Sequence, residues 1–247
     1  MMKKRVNNRG QVTIFIIVAV VILILVGLFF IFRGTLNSKE DPVETSPVYL
    51  HAVSCLESTT EQGIEYIGLR GGYYKVPEGV HFSYLADESA YYYIVSAKRI
   101  PAIERIQNEL GNYIKDNLKP CIDFNSLEEE GYNVTAGELT VSVIIKEGEV
   151  DVEADYPITL KKADYTYMFR KLEVEVDSNL ERVYRASGEI LDSYSEKPGF
   201  ICMTCLEDVS GDYEVDVKST PLTEKGVIWF SVLDKESDLN WRFVVEQ

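Results

Sequence analysis

The chain has 247 residues, of which 46% are hydrophobic, 26% charged and 11% aromatic. This balance excludes collagen-like and wholly disordered chains and allows one or two packed domains. Five of the 25 basic side chains (Lys3, Lys4, Arg5, Arg9, Arg33) and none of the 40 acidic ones fall in residues 1–33, which leaves 20 bases against 40 acids in residues 34–247. A surface this acidic repels phosphate backbones, so nucleic acid is not expected as a partner.

The basic n-region, residues 1–10, precedes a 21-residue apolar stretch, Val12–Phe32, interrupted only by Thr13 and Gly27. As a helix this stretch is about 31 Å long, enough to cross a hydrocarbon core of about 30 Å. In lipid only a helix satisfies its own backbone groups, which predicts a single transmembrane helix over residues 11–33. Four bases stand before it and Arg33 alone directly behind it. Charge bias therefore keeps the N-terminus in the cytoplasm and the remainder outside the cell membrane. The apolar run exceeds a secretory h-region, and no A-x-A-like site follows it, so the bland reading is an uncleaved signal anchor.

Arg9-Gly10-Gln11-Val12-Thr13 stands immediately before the apolar run. It resembles the class III (prepilin-type) signal peptides of archaeal pilins and archaellins, in which a basic residue and Gly precede the cut and Gln often follows it. The resemblance covers residues 3–32. It implies an archaeal source, cleavage between Gly10 and Gln11 on the cytoplasmic side, and an apolar helix that stays on the mature protein and packs into a filament core. Phe15 stands where many pilins carry Glu, and Thr13 where Ser is commoner. Gly34 and Pro42 bracket a polar stretch where a pilin stalk usually runs unbroken.

Residues 34–46 read as a solvated linker. Ser46-Pro47 predicts a capped start to a helix over about 47–69, stopped by Gly71-Gly72. Residues 71–100 read as an ordered loop with short extended pieces. A second helix follows from Pro101 and ends at Pro120. The apolar stripes of these two helices are too narrow for an independent bundle, so both are expected to cover a sheet. From about 132 the period becomes two, with strands at 139–145, 150–155 and 165–176 and a Gly148 turn between the first two. Ser178-x-x-Glu181 has the capping-box pattern for a helix ending at Pro198-Gly199. Strands near 213–218, 226–233 and 240–246 close the chain. The expected class is α+β: a helical part over 47–131, then an antiparallel β-rich part with one further helix over 132–247.

Four cysteines outside the membrane suit disulfides, and three connectivities exist. Cys55 with Cys121, leaving Cys202 with Cys205, is preferred. Cys202-Met203-Thr204-Cys205 also has the spacing of a thiol oxidoreductase, but only Leu206–Val209 reads as helical behind it. A zinc site there needs His51 and His81, or Cys55 and Cys121, brought in by the fold.

Glu149, Asp151, Glu153 and Asp155, beside Glu173, Glu175 and Asp177, offer oxygen ligands for Ca²⁺, although a solvated acidic face is the simpler reading. Tyr73, Tyr74, Tyr91, Tyr92 and Tyr93 form either a stacking platform for a glycan or partner peptide or a small core under the helices, the core being preferred. Asn133-Val134-Thr135 is a glycosylation sequon. No metalloprotease, nucleophile-elbow or P-loop motif occurs, and only two His are available as general bases. No catalytic residue, cofactor or metal is therefore expected. The expected role is binding or scaffolding at the cell surface, through self-association or a surface protein or glycan. A pilin-like subunit and an anchored thiol oxidoreductase are the alternatives.

Overall fold

Helix α1 (Pro47–Gly68) begins where the Ser46 hydroxyl accepts the N–H of Tyr49 at 3.2 Å, with Pro47 at a position that needs no donor. This is a computed structural model, and it describes residues 46–247. The n-region, the apolar run with its cleavage motif, and the linker up to residue 45 lie outside the described residues. Among the described residues no helix is long and apolar enough to cross a membrane.

Gly71 and Gly72 end α1 with φ of 63° and 84°. A Cβ on Gly72 would also lie 2.9 Å from Ile106 and 3.1 Å from Trp241, so this stop is set by conformation and by close packing together. The next thirty residues are not the expected loop. They form a hairpin of β1 (His81–Tyr84) and β2 (Asp87–Ile94), with β3 (Ala97–Lys98) folded back on β2. Strand β2 was hidden because both of its faces are apolar, which removes the polar–apolar alternation that marks a half-exposed strand.

Helix α2 (Ile103–Ile122) runs through Pro120 instead of ending there. Proline in the last turn removes one backbone donor. That turn is held from outside by the Cys55–Cys121 bond and by Ile122, which is 1% exposed. Asp123 then turns left-handed (φ 50°) and caps the short α3 (Phe124–Glu129) through Ser126.

The strands form two sheets, not one. The first is built on β6 (Glu149–Lys162), which pairs along one edge with β7 (Tyr165–Asp177) and along the other with β5 (Thr140–Ile145) and then β4 (Asn133–Ala136). Gly148, at φ 79°, makes the expected β5–β6 turn. Val150, Val152, Ala154, Tyr156, Ile158 and Leu160 alternate on the buried face of β6. Helices α1 and α2 cover that face, α1 against β7 and α2 against β5.

Helix α4 (Leu180–Glu196) does not use the Ser178 capping box. Asn179 occupies the cap, and its amide is drawn instead to the carboxylates of Asp234 and Glu236. After α5 (Met203–Asp212), strands β8 (Val215–Leu222), β9 (Val227–Asp234) and β10 (Asn240–Glu246) meander antiparallel. Strand β10 then pairs parallel with β2, giving the order β1-β2-β10-β9-β8. The class is α+β as expected, but this second sheet is mixed, and its strands come from both expected parts of the chain. Residues 47–131 are thus not a separate helical part; the described residues, 46–247, form one compact unit.

Tyr92 and Trp241, neither of them exposed, meet between this sheet and the end of α1. The Trp241 Nε1–H donates to the Tyr92 hydroxyl at 3.0 Å, and that hydroxyl donates to the Gly71 carbonyl at 3.2 Å. Tyr92→Phe strands an indole N–H and a carbonyl in a dry core. The expected loss is about 2 kcal/mol, read by chemical unfolding followed through tryptophan fluorescence. The Cys55–Cys121 bond closes a sequence separation of 66. Replacing both residues with Ser is expected to cost ~4 kcal/mol in the same measurement.

Candidate functional site

The two disulfides differ in kind. Cys55, 3% exposed, ties the middle of α1 to the last turn of α2, with Cα atoms 5.7 Å apart. Cys202 and Cys205, with Cα atoms 5.2 Å apart, are both half-exposed at the start of α5. Their sequence separation of 3 gives only ~2 kcal/mol in the chain-entropy relation. The helix behind them runs ten residues, longer than the expected Leu206–Val209 stretch. Cys202 is its cap: the backbone N–H of Cys205 points at the Cys202 Sγ from 3.3 Å, and the Thr204 hydroxyl lies 3.5 Å from the same sulfur.

The zinc alternative has no partners here. His51 lies beside Cys55 at 3.8 Å, and His81 beside Glu88 at 3.7 Å. Among the described residues no group of three or more His, Cys, Asp or Glu is arranged to hold a metal.

The five tyrosines do not make one surface. Tyr73, Tyr92 and Tyr93 are buried at 6%, 0% and 7% exposure. Successive strand residues point to opposite faces, so Tyr91 and Tyr92 separate. Burial pushes the Tyr92 hydroxyl well above its ordinary pKa, with the Trp241 hydrogen bond opposing. Tyr74 instead joins Tyr66 and Tyr113 in a half-exposed trio, with ring centroids 5.1–5.8 Å apart and the Arg70 guanidinium 3.7 Å over Tyr66. The trio sits where Gly63 lets α2 approach α1: a Cβ there would lie 2.7 Å from Leu110 and 2.8 Å from Tyr113.

Tyr91 belongs to a different patch, on the second sheet. Helix α4 reaches this sheet from the opposite side, through Tyr194 on Phe230 and Tyr184 on Trp241. On the patch side the Phe82 ring meets Tyr91 at 5.4 Å and Trp229 at 5.5 Å, both edge-on. Val227 and Val244 lie buried among them, with half-exposed Tyr84 and Leu222 alongside. Arg242 and Asp87, 3.6 Å apart, add a polar edge, and Leu85 at the β1–β2 turn is 88% exposed. Rings that keep one edge wet and one face packed suit recognition of a sugar face or a peptide. Sequence reasoning missed Phe82, Trp229 and Leu222 here. The available signal was Val227 and Trp229 alternating with Ile228 and Phe230, a strand apolar on both faces.

The acidic strand face exists as expected. Glu149 stands opposite Asp177, Asp151 opposite Glu175, and Glu153 opposite Glu173. Like charges in direct register are unfavourable, and of the three cations beside them Lys171 bridges a facing pair. Lys146 binds Glu149 and Asp151, Lys171 binds Glu153 and Glu173, and Arg170 grips Asp155 with two bonds of 2.7 Å. Hydrogen bonds to Asp151 and then Glu149 raise the Lys146 pKa; the Arg170 bonds lower that of Asp155. A shallow groove on this face, about 420 Å³, is lined by Asp151, Glu153, Glu173 and Glu175 together with Ser142 and Ile144. A Ca²⁺ ion wants six to eight oxygens, whereas here Glu149, Asp151, Glu153, Asp155 and Glu173 are already shared with lysine and arginine, so the arrangement is that of a solvated acidic face. Asn133 stands exposed on β4.

No protein-family model, curated protein or solved structure matches this chain.

One polar node holds the second sheet to α4. The Asp234 side chain is 0% exposed and accepts from the Ser237 hydroxyl and N–H, both at 2.8 Å, the Glu236 N–H at 3.1 Å and Asn179 at 3.0 Å. The Arg182 guanidinium lies 3.2 Å away. Burial opposes its charge, but the bonds from Ser237, Asn179 and the backbone outweigh it, and its pKa is lowered. A lowered folded pKa contributes stability that is present above the unfolded value, about 3.9, and lost as pH falls through the folded one. Asp234→Asn is expected to cost about 2 kcal/mol at pH 7 and clearly less at a pH low enough to protonate the folded carboxyl, measured by denaturant unfolding at neutral and at acid pH. An equal loss at both would contradict the charged role.

Proposed function

We propose that the chain is a single-pass, membrane-anchored surface protein whose acidic α+β part binds or scaffolds partners outside the cell. The observation that carries this is the charge-free, predominantly apolar run Val12–Phe32, with Lys3, Lys4, Arg5 and Arg9 held before it and a strongly acidic remainder after it. Pairing of the four cysteines supports an exterior location, because cytosolic thiols are kept reduced. The half-exposed rings of Tyr84, Tyr91 and Trp229, packed on the buried Phe82, are the surface best suited to a protein or glycan partner.

A second reading is favoured by Arg9-Gly10-Gln11 alone: a pilin-like subunit cut after Gly10, self-associating through the Gln11–Phe32 helix.

Protease added to intact cells is expected to degrade the acidic unit, and the anchor is expected to stay with membranes in carbonate. An untouched acidic unit, or protein released by carbonate, overturns the anchored reading. Intact-mass measurement of membrane-extracted protein separates the second reading. Loss of residues 1–10, with filaments in sheared surface material, supports it; full-length protein without filaments removes it.

A further inference from the structure

We propose that Cys202–Cys205 is a thiol–disulfide exchange site that oxidises cysteine pairs of other polypeptides. The inference goes beyond the anchored reading and does not depend on it, since the chemistry is measured on the purified chain.

The first observation is that this bond does little as a staple. It spans a sequence separation of 3 and sits half-exposed, whereas Cys55–Cys121 spans 66 and is buried. The second is its position at the head of a ten-residue helix. The Cys205 N–H and the Thr204 hydroxyl face the Cys202 sulfur from 3.3 and 3.5 Å. These two donors and the positive end of the helix stabilise a thiolate on Cys202 and make it a good leaving group. The third, independent of the cysteines, is a place for a polypeptide. A groove of about 450 Å³ runs between α5 and the edge strand β8, lined by Met203, Leu206, Val217 and Ser219 among others. Phe200 and Met203, 53% and 66% exposed, stand on either side of Cys202. Phe200, with Lys197 over its ring at 4.6 Å, and Met203 at the groove leave apolar surface open beside the bond, which suits contact with an extended, partly apolar substrate.

The reaction balances without a further reagent. A substrate thiolate attacks the Cys202 Sγ, the Cys202–Cys205 bond breaks, and Cys205 leaves as a thiolate that takes up a proton. The second substrate thiol, deprotonated, attacks the substrate sulfur of the mixed disulfide and releases Cys202 as its stabilised thiolate. The substrate dithiol loses two electrons to become a disulfide, and Cys202 and Cys205 gain them as thiols.

The test uses the full chain in detergent and a reduced synthetic peptide with two cysteines flanking apolar residues, followed by alkylation and mass analysis. The expected result is oxidation of one peptide per chain at the expense of Cys202–Cys205, with Cys55–Cys121 intact. The rate should be at least about tenfold above that of an oxidised peptide of sequence Phe200–Leu206. Cys205→Ser should trap oxidised glutathione as a mixed disulfide on Cys202 at least about tenfold faster than Cys202→Ser traps it on Cys205. A rate no greater than that of the short peptide overturns the proposal, as does equal trapping at the two sulfurs. The wild-type rate decides the matter even if a variant fails to fold.

Discussion

A buried tyrosine hydroxyl holds this molecule together. Tyr92 on β2 accepts from Trp241 on β10 and donates to Gly71 behind α1, so one oxygen ties both parallel-paired strands to the helix that also covers the other sheet. Around it Tyr92, Phe243 and Phe230 stack at 4.6 and 5.2 Å. The glycines follow from this. Gly68 brings α1 within 2.9 Å of the Asn240 carbonyl, measured from where its Cβ would stand, and Gly72 leaves room for the Trp241 ring. Larger residues at either position would push the helix off the strand and open the hydrogen-bonded chain.

The two sheets divide the work of the surface. The sheet built on β6 buries one face and gives the other wholly to water, where its crowded carboxylates are held by Lys146, Lys171 and Arg170. The sheet containing β2 and β10 is apolar on both faces. One packs on α4, and the other carries Phe82, Tyr91 and Trp229. An aromatic side on an otherwise acidic protein is where binding energy is available, because burying rings is favourable while burying unpaired carboxylates is not.

Legibility varied with how one-sided each element is. Helices α1 and α4 and strands β5, β6 and β7 face water on one side, so their apolar residues recur at a readable period, and the expected positions lie close to the observed ones except that β6, expected over 150–155, runs on to Lys162. Strand β2 reads as loop in the sequence because Ala90 and Tyr92 are buried on one side while Ser89 and Tyr91 pack on the other. Pro120 was read as a stop because local rules place it outside a helix, and a disulfide 66 residues long in sequence overrides them. Ser178 lost its cap to Asn179, whose amide is engaged by Asp234 from more than fifty residues away. The aromatic patch was half legible. Tyr91 was among the residues singled out, but Phe82 and Trp229 join it only through pairing of β1 with β2, β2 with β10, and β10 with β9.

Composition and order along the chain determined the α+β class, the helices and strands with one wet face, and the separation of a basic, apolar beginning from an acidic remainder, because each of these is written in residues close together. Only the tertiary structure decided that there are two sheets, that β2 and β10 run parallel, that the tyrosines divide between a core and two surfaces, and that Cys202 heads a helix beside a groove of mixed polarity. These facts depend on contacts between residues as far apart as Tyr92 and Trp241, and local periodicity carries no information about which distant partner a strand edge or a buried hydroxyl will meet.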